Sequence, residues 1–420
     1  MEPEAGLSWR TAAVARGRPS TRRLVVILGA LSAFGPLSMD MYLPGLPSLS
    51  RQLHASPSAG QLTLTSCMLG LAFGQLIIGP LSDSLGRRRP LLAGVAAYTT
   101  ASLACAFAPT VGVLIVLRLL QGLAGGAGVV IARAIVRDLF GGASAARMFA
   151  LLMIVTGAAP VLAPLIGGQV LAITSWRGIF VALAAIGVPL LLAATFGLSE
   201  TLPADRRHPG SLRATVGTFG RLLRDRTYLP YALAFSLSFA AQFAYIAGSS
   251  FVLEDIHGLS PQLFSVVFAV NSIALIAMSQ VGGRLVGRLG PRALLRYGLI
   301  GTALSSLGVL LTTIAGAGLA PLLIFLFVLL GSNGLVLPNG TASALAGQRT
   351  ALGSAAALLG LGQFGFGAVV APIVGLAGAH DALPMGLVIG ICGVSAFAVD
   401  ALFSPRPTRP RPPQSPQPRP

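Results

Sequence analysis

The chain contains no lysine, and all 29 of its basic residues are arginine. That absence removes the lysine on which a Walker A phosphate loop depends, so the chain is not itself a standard ATP-hydrolysing pump. Charge of either sign is scarce, at 10% of 420 residues, against roughly a quarter in soluble globular domains. Three cysteines, Cys67, Cys105 and Cys392, stand apart in apolar stretches, with no spacing for a metal or redox pair. His54, His208, His257 and His380 fall in loops or at helix ends with no shared acid or nucleophile. An enzyme would need such a constellation; none is found, and no cofactor or metal is implied.

What the chain has in abundance is apolar sequence, 54% of its residues. Apolar stretches of about 20 residues recur, each long enough to cross a hydrocarbon core of about 30 Å. Hydropathy, loop charge and Gly/Pro punctuation predict twelve helices, near 24–47, 61–81, 90–109, 111–136, 148–173, 178–198, 228–251, 263–283, 293–315, 319–340, 352–376 and 383–403. The solvent for this fold is the lipid bilayer.

The formal charge of +17 would suit a nucleic-acid partner if it formed one basic surface. Instead 25 arginines fall on alternate loops and both tails, Arg51 and Arg177 on the opposite side, and Arg118 and Arg133 within an apolar segment. Few aromatics are interleaved to stack on bases, so no nucleic-acid partner is expected. The bias is the positive-inside pattern, which places both termini in the cytoplasm of a multi-pass inner-membrane protein. Thr21-Arg22-Arg23 loosely matches a twin-arginine leader, but cleavage there would discard half of the first span. An uncleaved, arginine-anchored helix is the better reading.

Gly79-Pro80-Leu81-Ser82-Asp83-Ser84-Leu85-Gly86-Arg87-Arg88 closes the second helix, and Gly283-Arg284-Leu285-Val286-Gly287-Arg288-Leu289-Gly290-Pro291-Arg292 closes the eighth, 204 residues later. Two parallel six-helix repeats around a central cavity follow. The expected organisation is a cytoplasmic tail at 1–23, a six-helix half at 24–198, an arginine-rich linker at 199–227, a second half at 228–403, and a Pro/Arg-rich disordered tail at 404–420. Two other matches carry nothing: Gly360-Leu361-Gly362-Gln363-Phe364-Gly365 lacks the strand a dinucleotide fold needs, and Asn339-Gly340-Thr341 is a sequon at a membrane helix end.

Four sequence words along the first 170 residues carry a family resemblance. They are Pro36-Leu37-Ser38-Met39-Asp40-Met41-Tyr42-Leu43-Pro44, the loop Gly79 to Arg89, Arg118-Leu119-Leu120-Gln121-Gly122 with Ala132 to Leu139 beyond it, and GAAPVLAPLIGG from Gly157 to Gly168. Together they resemble the Bcr/CflA group of drug exporters, the bicyclomycin and chloramphenicol resistance group of the major facilitator superfamily. The resemblance implies an all-α integral membrane fold of twelve helices in two pseudo-symmetric halves. It also implies a conformational motif at Gly79, Asp83, Gly86, Arg87 and Arg88, with Asp83 against the start of the eleventh helix as a latch. Gly157, Pro160, Pro164, Gly167 and Gly168 match the antiporter motif, with Ala163-Pro164 where that motif prefers Gly-Pro.

The function expected is proton-coupled efflux of small, mostly apolar drug-like molecules by a monomer, the polar cavity candidates Tyr42, Gln121, Gln242, Tyr245, Asn271, Asn333 and Gln363 being sparse. A symporter importing a small metabolite, or an exporter of an endogenous one, stays open. Asp40 is the only acid well inside any predicted span, Asp400 lying near a helix end. At 1.5 Å per residue Asp40 lies about 24 Å along the first helix, and Arg118 about 10 Å into the fourth from the other side. These heights predict an Asp40–Arg118 ion pair as the proton-coupling site. The repeat places Ala244 and Leu322 at the equivalent positions of the second half.

Overall fold

The computed structural model describes residues 21–207, 212–348, 352–376 and 381–403. Among them every regular element is a helix. Nine helices are long and apolar enough to cross a bilayer, and the bent pair at the start of the chain makes a tenth. Two more complete the twelve. Arg88–Ala106 is a 19-residue helix between the second and fourth spans, and Pro261–Ala315 is two spans broken at Gly290, whose φ of 76° is not helical. In order the spans are Thr21–Gln52 in pieces, Pro57–Leu85, Arg88–Ala106, Val111–Leu139, Gly142–Ile173, Trp176–Gly197, Leu229–Ser250 with a π-helical turn to Ile256, 261–289, 291–315, Leu319–Leu345, Leu352–Val374 and Leu383–Phe403.

The first span differs most from a simple helix. It runs as Thr21–Ser32, Phe34–Asp40, a 3₁₀ turn at Leu43–Gly45, and Leu46–Gln52, with a 40° bend near residue 33. Pro36, Pro44 and Pro47 each remove a backbone donor, so the i to i−4 ladder cannot run through. A further helix, Leu212–Leu222, lies within the segment expected as the linker. The predicted tails, apart from residues 21–23, lie outside the described residues.

The 204-residue repeat extends to individual interactions. Ser56 accepts a hydrogen bond from Ala59 N ahead of Pro57, and Ser260 accepts one from Leu263 N ahead of Pro261. A serine N-cap followed by proline at the first helical position is a strong helix start, and here it is used twice at equivalent positions. Gly86 (φ 89°, ψ 167°) and Gly290 (φ 76°, ψ 157°) then close the same helices, in a region of φ/ψ that glycine alone enters readily. Between the halves, Ser58 Oγ donates to Pro372 O, and its repeat mate Gln262 Nε2 donates to Gly168 O, the mate of Pro372.

Packing divides the molecule across its thickness. At the face away from the chain ends, the distal face, one apolar core joins both halves and includes Tyr42, Met68, Phe180, Phe243, Phe264 and Met385. Toward the face bearing the chain ends the core splits in two. One cluster is built on Leu28, Tyr98 and Ile135 of the first half, the other on Tyr228, Leu295 and Ala355 of the second. Hydrogen bonds joining the halves follow the same division, running from Gln61 to Ala247 O, Thr65 to Ala368 O and Ser272 to Pro160 O. The halves therefore close on each other distally and separate toward the chain ends.

Within the first half, the second and fourth spans cross through glycines. A methyl on Gly70 or Gly74 would overlap the carbonyl of Leu119 or Leu123, and one on Gly122 would overlap that of Cys67. Gly70/Gly74 and Gly122/Gly126 each have the four-residue spacing that lets membrane helices meet backbone to backbone. Gly122→Ala is therefore expected to lower the thermal stability of the detergent-solubilised protein by about 1–3 kcal/mol, the usual overpacking cost. Gly287→Ala, where a methyl meets nothing within 4 Å, should leave the unfolding transition in place.

Candidate functional site

Arg118 is fully buried in the fourth span. Its Nη2 donates to Ser38 O at 2.8 Å, its Nη1 to Gln121 Oε1 at 2.6 Å, and its Nε to Thr63 O at 3.4 Å. The guanidinium carbon lies 4.4 Å from the ring centre of Tyr42 and 5.6 Å from that of Phe180. Gln121 passes the network on to Ser102 Oγ, and Ser38 Oγ shares a hydrogen bond with Tyr98 Oη. Tyr42 Oη and Thr63 Oγ1 share another.

The expected Asp40–Arg118 ion pair is not formed. The reason lies in the broken first span. Phe34–Asp40 ends as a helix at Asp40, so its last carbonyls point off the helix end without intrahelical partners. Ser38 O takes the cation, where the negative end of a helix dipole favours it. Similar depth was not enough, because it fixes height and leaves azimuth undetermined. Asp40 is itself buried, 7% exposed, and makes no ion pair among the described residues. It lies in electrostatic range of Tyr245 on the seventh span. Tyr245 Oη accepts from Asn271 Nδ2 at 2.9 Å and its ring stacks on Phe268.

The remaining cavity candidates are dispersed. Tyr42 and Gln121 are committed to the arginine network. Asn333 accepts from Ser238 Oγ through its side-chain oxygen, while its Nδ2 has no partner among the described residues. Gln363 is half-buried on the eleventh span. Gln242 is buried with Oε1 unpartnered, and so are the hydroxyls of Thr302 and Ser306. These three are the repeat mates of Ser38, Tyr98 and Ser102. The second half thus keeps three polar positions of the arginine network and carries Leu322 and Phe325 where Arg118 and Gln121 stand. Its orphaned polar atoms are the remainder of a network without its cation.

In the fifth span, a methyl on Gly167 would overlap Met41 O at the break of the first span, and one on Gly168 would sit 2.7 Å from Ser265 Oγ of the eighth. Pro160 O and Gly168 O accept the inter-half bonds from Ser272 and Gln262, and Gly157 faces open space. Pro164, one helical turn on from Pro160, also lies inside the continuous helix. This helix is the seam between the broken first span and the second half.

At the chain-end face, Arg87 is buried and binds Asp83, Asp138 and Ser82. Arg88 donates to Leu198 O and Thr195 O. Glu200 accepts from the backbone N–H groups of Arg87 and Arg88 at the start of the third span, and from those of Thr201 and Leu202. Gly79 packs on Val130, and a methyl on Gly86 would collide with the Glu200 carboxylate. Asp83 is half-exposed and pairs with Arg87; the residues just before Leu352, where the latch contact was expected, lie outside the described residues. Asp138 and Glu200 were given no role from the sequence. With only 12 acids in the chain, two beside arginine-rich loops were the signal available.

A family model described as Major Facilitator Superfamily matches residues 28–372. The "Uncharacterized MFS-type transporter YdgK" of Bacillus subtilis is 42% identical over 374 residues, 88% of this chain and 92% of that protein. The "Bicyclomycin resistance protein homolog" of Haemophilus influenzae is 32% identical over 375 residues, 89% and 94% of the two chains. Among solved structures, the nucleoside transporter NupG superposes with a TM-score of 0.72 at 15% identity, covering 91% of this chain and all of that one, a likeness of fold. The chain belongs to the major facilitator superfamily, within its bicyclomycin and chloramphenicol resistance group. It is a multi-pass membrane transporter.

Burial alone would raise the Glu200 carboxyl, but four backbone N–H groups outweigh it and hold the group below the usual carboxylate range. A lowered acid contributes stability that is full above its unfolded value and is lost as pH falls through the lowered one. Wild-type thermal stability in detergent should decline on the acid side through this term. Glu200→Gln should be less stable at neutral pH and lack that part of the decline; superimposable pH profiles for the two proteins would remove the role.

Proposed function

We propose that the chain is a proton-coupled antiporter that expels small, mostly apolar drug-like compounds, working as a monomer with its termini in the cytoplasm. The cleft between the halves would then face the cytoplasm in this structure, ready to accept cargo. The observation that carries the reading is Asp40, a buried acid with no ion pair among the described residues, at the break of the first span and close enough to Tyr245 of the second half to act on it electrostatically. An uncompensated charge there is costly, and intramembrane acids of this kind serve ion pathways. Drug and proton would compete through Asp40, its protonation removing the charge and permitting the halves to rock. Arg118 acts beside it as the fixed point that holds the broken helix, not as its counter-ion. The likeness to a protein named for bicyclomycin resistance supports drug-like cargo.

The test compares Asp40→Asn with wild type in vesicles carrying an imposed pH gradient and an apolar antibiotic such as chloramphenicol. The variant should bind the compound yet lose uphill, gradient-driven export. Unaltered accumulation would sink the proposal.

We further propose that Asp83 governs the balance of conformations. It lies at the chain-end face and pairs with Arg87. Asp83→Asn should lower turnover several-fold while equilibrium binding of the same compound stays near wild type; a large loss of affinity with unchanged conformational populations would refute this.

A further inference from the structure

We propose a second proton-binding site, at Glu254 in the distal gate, that exchanges with the distal side only and favours closure of the gate. The inference rests on the transporter reading above but not on Asp40. The seventh span was expected to stop at residue 251. It continues through a π-helical turn, Phe251–Ile256, which packs against Leu46–Gln52 of the first span and against the eighth span and buries Oε1 of Glu254. There Arg51 and Asp255, repeat mates 204 residues apart, form an ion pair at 2.6 Å on the seam between the halves.

Glu254 is the repeat mate of Ser50, and both end in buried oxygens, Oε1 and Oγ, without a hydrogen-bond partner among the described residues. Gln61 Oε1 and Ser250 Oγ are orphaned at the same end. Four of the unpartnered buried atoms therefore gather at the gate. The charged and titratable groups around Glu254 are few among the described residues. Arg51 is the one on Leu46–Gln52, with His54 just beyond it. Asp255 and His257 flank Glu254 on its own segment, and Tyr245 lies further back on the seventh span. Asp381 lines a small cavity with Ile256 and Gln61. Pro261 to Gln280 of the eighth span contributes none.

The one nearby guanidinium is already committed to Asp255, so closing the gate over an ionised Glu254 would bury a second carboxylate with no cation for it. The carboxyl also sits in the last turn of its helix, where the dipole disfavours negative charge. Closing over the neutral acid avoids both costs, so the closed state binds one proton more than the open one. The proton enters as the gate shuts and leaves to the same solvent as it opens. It makes the conformational balance depend on distal pH without adding to the charge carried across. One such proton changes the closed-to-open ratio by up to about tenfold per pH unit.

The experiment measures distal separation of the halves by spin-label distances between P109C and A317C, two exposed loop positions, in lipid nanodiscs across a pH series. The closed population of the otherwise wild-type protein should grow as pH falls. In an Asp40→Asn background, which should retain a slope, Glu254→Gln should stay closed with that slope removed and Glu254→Asp should restore one. Glu254→Gln alone should keep gradient-driven export, which separates failure here from failure of the Asp40 reading. A slope that survives Glu254→Gln in the Asp40→Asn background, or one absent from the wild type, overturns the proposal.

Discussion

A guanidinium sealed inside a membrane protein without a carboxylate beside it has to be neutralised by dipoles, and the supply of those dipoles shapes the whole first half. Arg118 takes the carbonyl of Ser38 because the first span is interrupted there, and it takes the face of Tyr42 because the chain turns at the same place. An Arg at the centre of a helix in lipid costs about 2.5–3.5 kcal/mol even on the gentlest scales. The prolines that break the first span therefore supply acceptors as well as a bend. Fourth and first spans are thereby tied at the break, and Gly122, one residue past Gln121, brings the second span against the fourth beside it. Gly167 of the fifth span closes on the other side of the break, at Met41.

The repeat shows what this arrangement adds to a common scaffold. Helix starts at Ser56 and Ser260, helix ends at Gly86 and Gly290, and the bonds of Ser58 and Gln262 across the seam are the same devices used twice. They build two similar bundles with two similar seams, which is what a rocking motion about a central axis requires. Arg118, Asp40 and the break of the first span have no counterpart at the equivalent positions of the second half. Leu322 and Ala244 take the places of Arg118 and Asp40, and the polar groups that would have served them lie unpartnered. In the proposed mechanism symmetry supplies the hinge, and its loss supplies the chemistry.

Much of this was legible in the sequence because membrane insertion writes long-range information into local composition. Span number, the pairing of halves and the positions of Gly86 and Gly290 follow from hydropathy, arginine placement and one repeat. Partners were harder. Asp40 and Arg118 were found individually, since a charge in an apolar run is conspicuous, but their pairing was inferred from height, and height says nothing of which way a side chain points around its helix. The break of the first span was foreshadowed by its prolines, yet the freed carbonyl as a ligand for Arg118 is a backbone property that no residue letter records. Asp138 and Glu200 act through Arg87 and through backbone N–H groups, contacts across loops that spacing cannot anticipate.

The division of the apolar core explains why so few polar contacts can control so large a motion. Distally, a single core spans both halves, so separation there would expose apolar surface to water at about 25 cal/mol per Å². Toward the chain ends each half already has a closed core of its own, and parting them costs little further packing. Closure at the distal end is therefore the favoured resting state of the apolar surface, and what can oppose it is charge that must be buried along the seam. Asp40 at the break of the first span and the Arg51–Asp255 pair with Glu254 at the rim lie on that side. Whichever groups change their charge there alter the balance directly, because a cost of about 1.4 kcal/mol moves a two-state ratio tenfold, and the packing on either side stays as it was.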